Sequence, residues 1–303
     1  MEKRRIGSSA LESSLLGLGC MSLSTEPKKA EEILKTAYDN GINYFDTADL
    51  YDYGTNEEIV GKALKSVRSE VLIATKVGNR AKDDLSGWYW DPSKSYIKEQ
   101  VKKSLQRLQI DYIDLYQLHG GTLDDPIDET IEAFDDLKQE GLIRAYGFSS
   151  IRPNVIREYA SRSSADSNMM QYSLLDRRPE EQAFEVLKEN QVSIITRGPL
   201  AKGLLSGNYQ EKLSKHDEYV HYSKRELDLL LPKIAEHFQH RTLTETALLF
   251  NAAHPEVSTI IAGASSPEQV LENIKAINQS PLTREEIEVL KSITKADGYT
   301  QHR

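Results

Sequence analysis

The chain has 303 residues, 39% of them hydrophobic and 28% charged, which is the composition of an ordinary globular protein and excludes a disordered or fibrous one. Its net charge of -9 and pI near 5.4 argue against nucleic acid as the main partner, while leaving room for a phosphate-bearing small molecule at a locally basic site. The single cysteine, Cys20, excludes an intrachain disulfide, fits a reducing compartment and gives no basis for a metal site; the apolar run around residues 15–23 is too short to span a membrane and lacks a secretory layout, so a cytoplasmic protein is expected.

The first apolar run, Leu15-Leu16-Gly17-Leu18-Gly19, shows no polar alternation, as expected of a strand buried on both faces. Pro27 stands near a helix start, and Ala30, Ile33, Leu34, Ala37 and Tyr38 follow at helical spacing until Gly41. A strand over 42–46 comes next. Thr55-Asn56-Glu57-Glu58 has the spacing of a capping box and predicts a helix with Ile59, Val60, Ala63 and Leu64 on its apolar face. Val71–Thr75 reads as the third strand, with Lys76 at its end.

Asp91-Pro92 predicts the cap of a helix carrying Ile97, Val101, Leu105 and Leu108, and Tyr112–Leu118 the strand that ends at His119. Asp125-Pro126 predicts the next helix start, followed by a strand over 143–148 ending at Ser149-Ser150. A shorter helix (Val155, Ile156, Tyr159), a strand over 168–171, a helix over 179–190 and a strand over 192–196 continue the pattern. A polar loop then leads to a long helix, which Pro232 is expected to kink. Thr242 with Glu245 opens a helix over 243–252, Val257–Ile261 is the last strand, Ser266-Pro267-Glu268-Gln269 caps the helix after it, and Thr283 with Glu286 caps a final one.

Eight strands each followed by a helix, at about the ~250 residues of one barrel plus extensions, predict an α/β fold of the (β/α)₈ TIM-barrel class. A doubly wound open sheet is the alternative. No GxGxxG follows the first strand, which counts against a Rossmann domain. No linker or low-complexity tract divides the chain, so residues 1–303 read as a single domain.

Chemistry in such barrels sits at the C-terminal strand ends. Here those positions hold Asp46, Lys76, His119, Ser149, Gln171 and Arg197, with Tyr51 in the turn after the second strand. Singly, each has a bland explanation. Asp46 can cap a loop, Lys76 can snorkel, His119 can be a satisfied loop histidine, and Tyr51 is one of 15 tyrosines. Together they form a proton-donor set. A phenol is a poor acid at neutral pH unless a neighbouring ammonium stabilises its phenolate, and a buried lysine needs a carboxylate to stay charged. A neutral histidine can orient a carbonyl oxygen beside the phenol. The set lacks a nucleophile, so a hydride must come from a cofactor.

With those residues in view, the chain resembles the aldo-keto reductase superfamily over essentially its whole length. GINYFDTADLYDYGTNEEIVGKAL is similar to the segment carrying the family's catalytic Asp and Tyr, here Asp46 and Tyr51; Thr75-Lys76 resembles its catalytic lysine and DYIDLYQLH its catalytic histidine, His119. IIAGASSPEQVLENIKAI is similar to the cofactor-gripping segment of the long-loop branch, which includes bacterial reductases and potassium-channel β subunits. The resemblance implies an N-terminal β-hairpin under the barrel, a C-terminal helical extension, NADPH/NADP⁺ as cofactor, a small carbonyl substrate, and a monomer or weak homo-oligomer. It places Ser149 and Gln171 on the nicotinamide carboxamide and Gly263, Ser265, Gln269 and Asn273 at the adenosine end; Arg197, Leu200 and Lys202, after the seventh strand, are this chain's further candidates for cofactor contact. Small residues before a capped helix independently suit a phosphate, because free N–H groups and the helix dipole face it.

Three departures from the family pattern carry expectations. Ser150 stands where the family commonly has Asn, removing an amide contact to the carboxamide. Arg197 stands where many members stack an aromatic; its fixed charge is expected to favour neutral NADPH over NADP⁺. The cation often found beside the 2′-phosphate is replaced by Ser265 or Gln269, leaving Lys202 as the candidate. Trp88 and Trp90, with Tyr89, are expected to wall the substrate pocket or to pack beneath their loop. Two other function classes fit parts of the pattern: a cofactor-binding redox-sensing regulatory subunit, and a Schiff-base aldolase using Lys76.

Overall fold

Eight short runs pair side by side in chain order and then close: Leu16–Gly19, Tyr44–Asp46, Leu72–Val77, Ile113–Leu118, Ile143–Ser149, Ser167–Gln171, Ser193–Arg197 and Val257–Gly263 form a closed barrel. Every adjacent pair is parallel, including the closing pair of the eighth strand with the first, where Ile260 lies opposite Leu16. Parallel pairing brings all eight strand ends to one face, and this is what gathers the candidate residues. The computed structural model describes residues 1–303. The architecture is the (β/α)₈ barrel expected from the alternation, and the open sheet is excluded by the closure.

Strand alternation divides the apolar side chains into two layers. Tyr44, Ala74, Leu115, Ala145, Met169, Ile195 and Ile261 fill the interior, joined from below by Ile6 and Leu11. Their neighbours Phe45, Ile73, Tyr116, Phe148 and Ile194 point outward to the helices Pro27–Asp39, Thr55–Leu64, Lys94–Leu108, Ile127–Gln139, Pro153–Arg162, Ala183–Glu189, Leu243–Ala252 and Pro267–Ile277. The second and third of these helices approach closely at Gly61, where a Cβ would overlap the Leu108 carbonyl.

An N-terminal hairpin, Lys3–Arg5 with Glu12–Ser14, closes the floor. Arg4 donates from there to the carbonyls of Ala252, Val257 and His254 at 2.9, 2.9 and 3.0 Å, satisfying acceptors at the end of the helix Leu243–Ala252. At the other end, the long connection after the seventh strand carries the helices Tyr209–Leu213 and Lys224–His237. It shares a second apolar cluster (Tyr172, Leu205, Leu231, Phe250) with Leu290 of the C-terminal helix Arg284–Ile293. The last residues cross the barrel mouth: Arg178 stacks on Tyr299 at 4.8 Å, and the Asn154 N–H donates to the His302 carbonyl at 2.9 Å. No helix is long and apolar enough to cross a membrane.

The helix starts test the capping predictions one by one. Ser266, Thr242 and Thr283 each accept a backbone N–H as their spacing predicts, the last two in full capping boxes. Thr55 does not cap. The cap position is Gly54, at φ 95, and Thr55 is already helical because the preceding turn is left-handed. Asp91-Pro92 also lies ahead of its helix; Ser93 is the cap, and Asp91 accepts from the Ser93 hydroxyl at 2.6 Å. Asp125 spends its carboxylate on Thr122 and Trp90 rather than on the helix Ile127–Gln139. Residues 179–190 form a 3₁₀ turn, Arg178–Glu181, and then the helix Ala183–Glu189. Lys224–His237 continues through Pro232 as one helix.

Candidate active site

The second strand is three residues long and wholly buried, so its last side chain, Asp46, emerges inside the mouth at 4% exposure. Lys76, on the next strand, is 1% exposed. Its Nζ donates to Asp46 Oδ2 at 2.6 Å and to the Thr47 carbonyl at 2.8 Å, and lies 3.4 Å from the Tyr51 hydroxyl. Burial acts to lower the Lys76 pKa and is the largest single influence on it, but Asp46 and Tyr51 together outweigh burial and hold it above the ordinary lysine value. The ammonium is therefore charged despite its depth. Gln117 Nε2, 3.5 Å from Asp46 Oδ1, faces the other carboxylate oxygen.

The Tyr51 ring stands edge-on to His119, with centroids 6.0 Å apart. The His119 N–H of the main chain donates to the Val77 carbonyl at 2.7 Å, fixing the residue just past the fourth strand. Its imidazole is held down to a pKa of about 3, chiefly by burial and further by the positive charges of Lys76 and Arg197. His119 is thus neutral, and its Nδ1 is buried with no partner. A neutral, buried imidazole beside a phenol is a hydrogen-bonding group awaiting a polar atom.

Around the mouth, Gln171 is gripped from both sides: its amide donates to Asp176 Oδ2 at 2.8 Å and accepts from Arg197 Nη1 at 3.1 Å. Arg178 braces Asp176 with two bonds of 2.7 Å. Ser149 ends the fifth strand half-buried, and Ser150 is fixed by reciprocal bonds with Asn168, its N–H donating at 3.1 Å and its carbonyl accepting at 3.2 Å. Asn168 thus braces the turn from the sixth strand.

The other cofactor candidates lie at the eighth strand end and the helix start beyond it. Gly263, Ser265 and Gln269 are exposed and Asn273 is buried. The Ser265 N–H and hydroxyl both donate to Gln269 Oε1, at 2.9 and 3.2 Å. These are two donors at a helix N-terminus held by one exposed side-chain oxygen, which a phosphate oxygen can replace; the residues fit a nucleotide. Leu200 is half-buried, whereas Lys202 is exposed, in a turn where Ala201 and Lys202 both have positive φ (48 and 59). Trp88 is half exposed on a hairpin rim. Trp90 packs over Gly78 and Gly120 and donates to Asp125 at 2.8 Å, so its indole ties two mouth loops together. No group of three or more His, Cys, Asp or Glu side chains is arranged to hold a metal ion.

The profile of the Aldo/keto reductase family matches residues 15–295. The chain belongs to the aldo/keto reductase family. An uncharacterized oxidoreductase of Bacillus subtilis (strain 168), YqkF, is 56% identical over the full length of both chains. The solved holo form of the aldo-keto reductase AKR11C1 from Bacillus halodurans is 55% identical, with a TM-score of 0.96 over 100% of this chain and 99% of that one. The NADH-specific methylglyoxal reductase of Escherichia coli (strain K12) is 32% identical over 92% of this chain and 94% of its own. Family membership makes this chain an oxidoreductase of a carbonyl-reducing family that uses nicotinamide cofactors.

Several aldo/keto reductase site neighbours escape a reading based on strand ends. Gln117 had a signal, a polar side chain inside the otherwise apolar run 113–118. Asn168 sits in the sixth strand in the same way. Asp49 and Glu57 lie buried behind the Tyr51 turn, with Arg107 half-buried beside them, and nothing in the local pattern marks these positions.

Proposed function

We propose that this protein reduces the carbonyl group of a small aldehyde or ketone, with NADPH as the reductant and Tyr51 as general acid. The observation that carries the proposal is the chain Asp46–Lys76–Tyr51, with contacts of 2.6 and 3.4 Å, standing beside a neutral, partnerless His119. When bound, the cofactor supplies the hydride. The protein's own residues manage the oxygen. His119 orients the carbonyl oxygen between itself and Tyr51, and the phenol delivers a proton as negative charge develops there. The phenolate left behind faces the Lys76 ammonium, which Asp46 keeps charged. Asp46 acts through Lys76 and need not touch the substrate. A charged lysine bonded to a carboxylate is a poor amine nucleophile, which disfavours the aldolase chemistry.

Ser149 and Gln171 would hold the carboxamide, and Gly263, Ser265, Gln269 and Asn273 the adenosine end, with Leu200 and Arg197 along the ring between them. Arg197 already lowers the His119 pKa through space, so its charge is felt inside the pocket. That charge would disfavour a cationic nicotinamide and bias turnover towards reduction. Lys202 would supply the cation for the 2′-phosphate. The exposed Trp88 would present an apolar rim to the substrate. The test is NADPH oxidation with a panel of aldehydes, comparing the wild type with Tyr51→Phe: a loss of about 10²–10⁴-fold in kcat is expected. Equal rates would remove the mechanism.

A further inference from the structure

A second ion pair, of a buried carboxylate with a half-buried arginine, lies behind the Tyr51 turn and takes no direct part in that chemistry. Glu57 is fully buried, and its two carboxylate oxygens are spoken for separately: Oε2 accepts from Arg107 Nε and Oε1 from the Thr75 hydroxyl, both at 2.6 Å. Arg107 also donates to Ser104 Oγ at 3.1 Å, within its own helix. Thr75 immediately precedes Lys76 on the third strand. One carboxylate therefore connects the helix that begins at the Tyr51 turn, the strand that carries Lys76, and the helix Lys94–Leu108.

The turn itself is strained. Asp52 and Tyr53 are both left-handed, at φ 48 and 51, and Gly54 follows at φ 95. A left-handed conformation is disfavoured for a non-glycine residue, so this turn persists only because its surroundings hold it. Arg107 is what it rests on. A Cβ built on Gly54 would lie 2.6 Å from Arg107 Cδ and 2.9 Å from its Nε, so the arginine stem lies directly against the glycine backbone. An apolar pair of equal volume would hold two helices together about as well as this ion pair. It would not supply directional bonds that fix the turn relative to the strand.

We infer that Glu57 and Arg107 are positioning residues that set the separation between the Tyr51 hydroxyl and the Lys76 ammonium, a reading that rests on the carbonyl reduction proposed above. The pair fixes where the acid stands. Cofactor binding, at the far strand ends, is independent of it.

Three variants test this: Arg107→Met, which keeps the bulk and removes the charge; Arg107→Lys, which keeps the charge and the stem; and Thr75→Val, which unties Glu57 from the third strand and leaves its pair with Arg107 intact. Arg107→Met is expected to lower kcat about tenfold or more, as small displacements of reacting groups do. Thr75→Val is expected to lower it about threefold, the effect of one hydrogen bond, and Arg107→Lys to recover most of the loss. Cofactor dissociation constants should stay at the wild-type value. The solvent deuterium isotope effect on kcat should rise in Arg107→Met and Thr75→Val, because proton delivery becomes limiting, whereas a merely structural loosening would not move it. Folded variants with wild-type kcat and isotope effect would overturn the inference, as would a parallel loss of kcat and cofactor affinity. Should Arg107→Met fail to fold, Thr75→Val decides by the same readouts. Failure of the carbonyl-reduction reading shows separately, as equal rates for the wild type and Tyr51→Phe.

Discussion

Asp49 lies between Asp46 and Tyr51 in the chain, 6% exposed. Burial, and then the charge of Glu57, push its carboxyl from the usual 3.8 up to about 8; Arg107 and Gln100 pull the other way and do not prevail. At neutral pH Asp49 is therefore largely protonated in the folded protein, while in the unfolded chain it is ionised. Between about pH 4 and 8 the native state holds a proton that the unfolded state has lost, so each unit rise in pH costs the fold about 1.4 kcal/mol. Asp49's contribution is complete below about 3.8 and gone above about 8, a span worth about 5–6 kcal/mol, against total stabilities of about 5–15 kcal/mol for natural domains. Asp49→Asn replaces the acid with a group that is neutral at every pH. Urea unfolding of both proteins at pH 5, 6, 7 and 8 should give a stability difference that moves in the variant's favour by about 3 kcal/mol between pH 5 and 7. A difference independent of pH would show that Asp49 is not the buried acid described.

Further outcomes are expected at the catalytic centre and at the cofactor end. Lys76→Met should destabilise the protein by about 3–5 kcal/mol because it strands the Asp46 carboxylate, while the double variant Asp46→Asn/Lys76→Met should regain most of that stability and none of the activity; urea unfolding beside NADPH turnover checks both, and a Lys76→Met protein as stable as the wild type would contradict the ion pair. His119 should show no NMR titration between pH 5 and 8, since its pKa lies near 3; because the unfolded chain binds a proton near 6.5 that the native site refuses, the residue weakens the fold as pH falls below 6.5. At the cofactor end, Lys202→Met should weaken NADPH about tenfold and leave NADH unchanged, and Arg197→Tyr should lower the preference for NADPH over NADP⁺; unchanged ratios of dissociation constants would dismiss both assignments.

The barrel was legible because strands buried on both faces leave continuous apolar runs, and because polar residues at their ends stand out against that background. Asp46, Lys76 and His119 could be read in this way. Glu57 could not. In the sequence it looks like the third residue of a solvent-exposed cap, but its partners are Thr75 and Arg107, and only the folded chain brings them to it. Thr55 misleads for the same reason, since the left-handed turn at Asp52–Gly54 moves the helix start and no residue type announces it. Trp90's bond to Asp125 could not be read either, because that partner belongs to another loop.

Arg4 finds its acceptors at Ala252, His254 and Val257, and the first barrel strand has the eighth as one of its two neighbours. A ribosome delivers the first of these partners long before the last. Throughout synthesis the floor stays open and one edge of the first strand goes unpaired, so a nascent chain of six or seven barrel units exposes a sticky sheet edge. The closing step belongs to the last fifth of the sequence. Stalled or truncated translation products of this protein are therefore the species most in need of a chaperone.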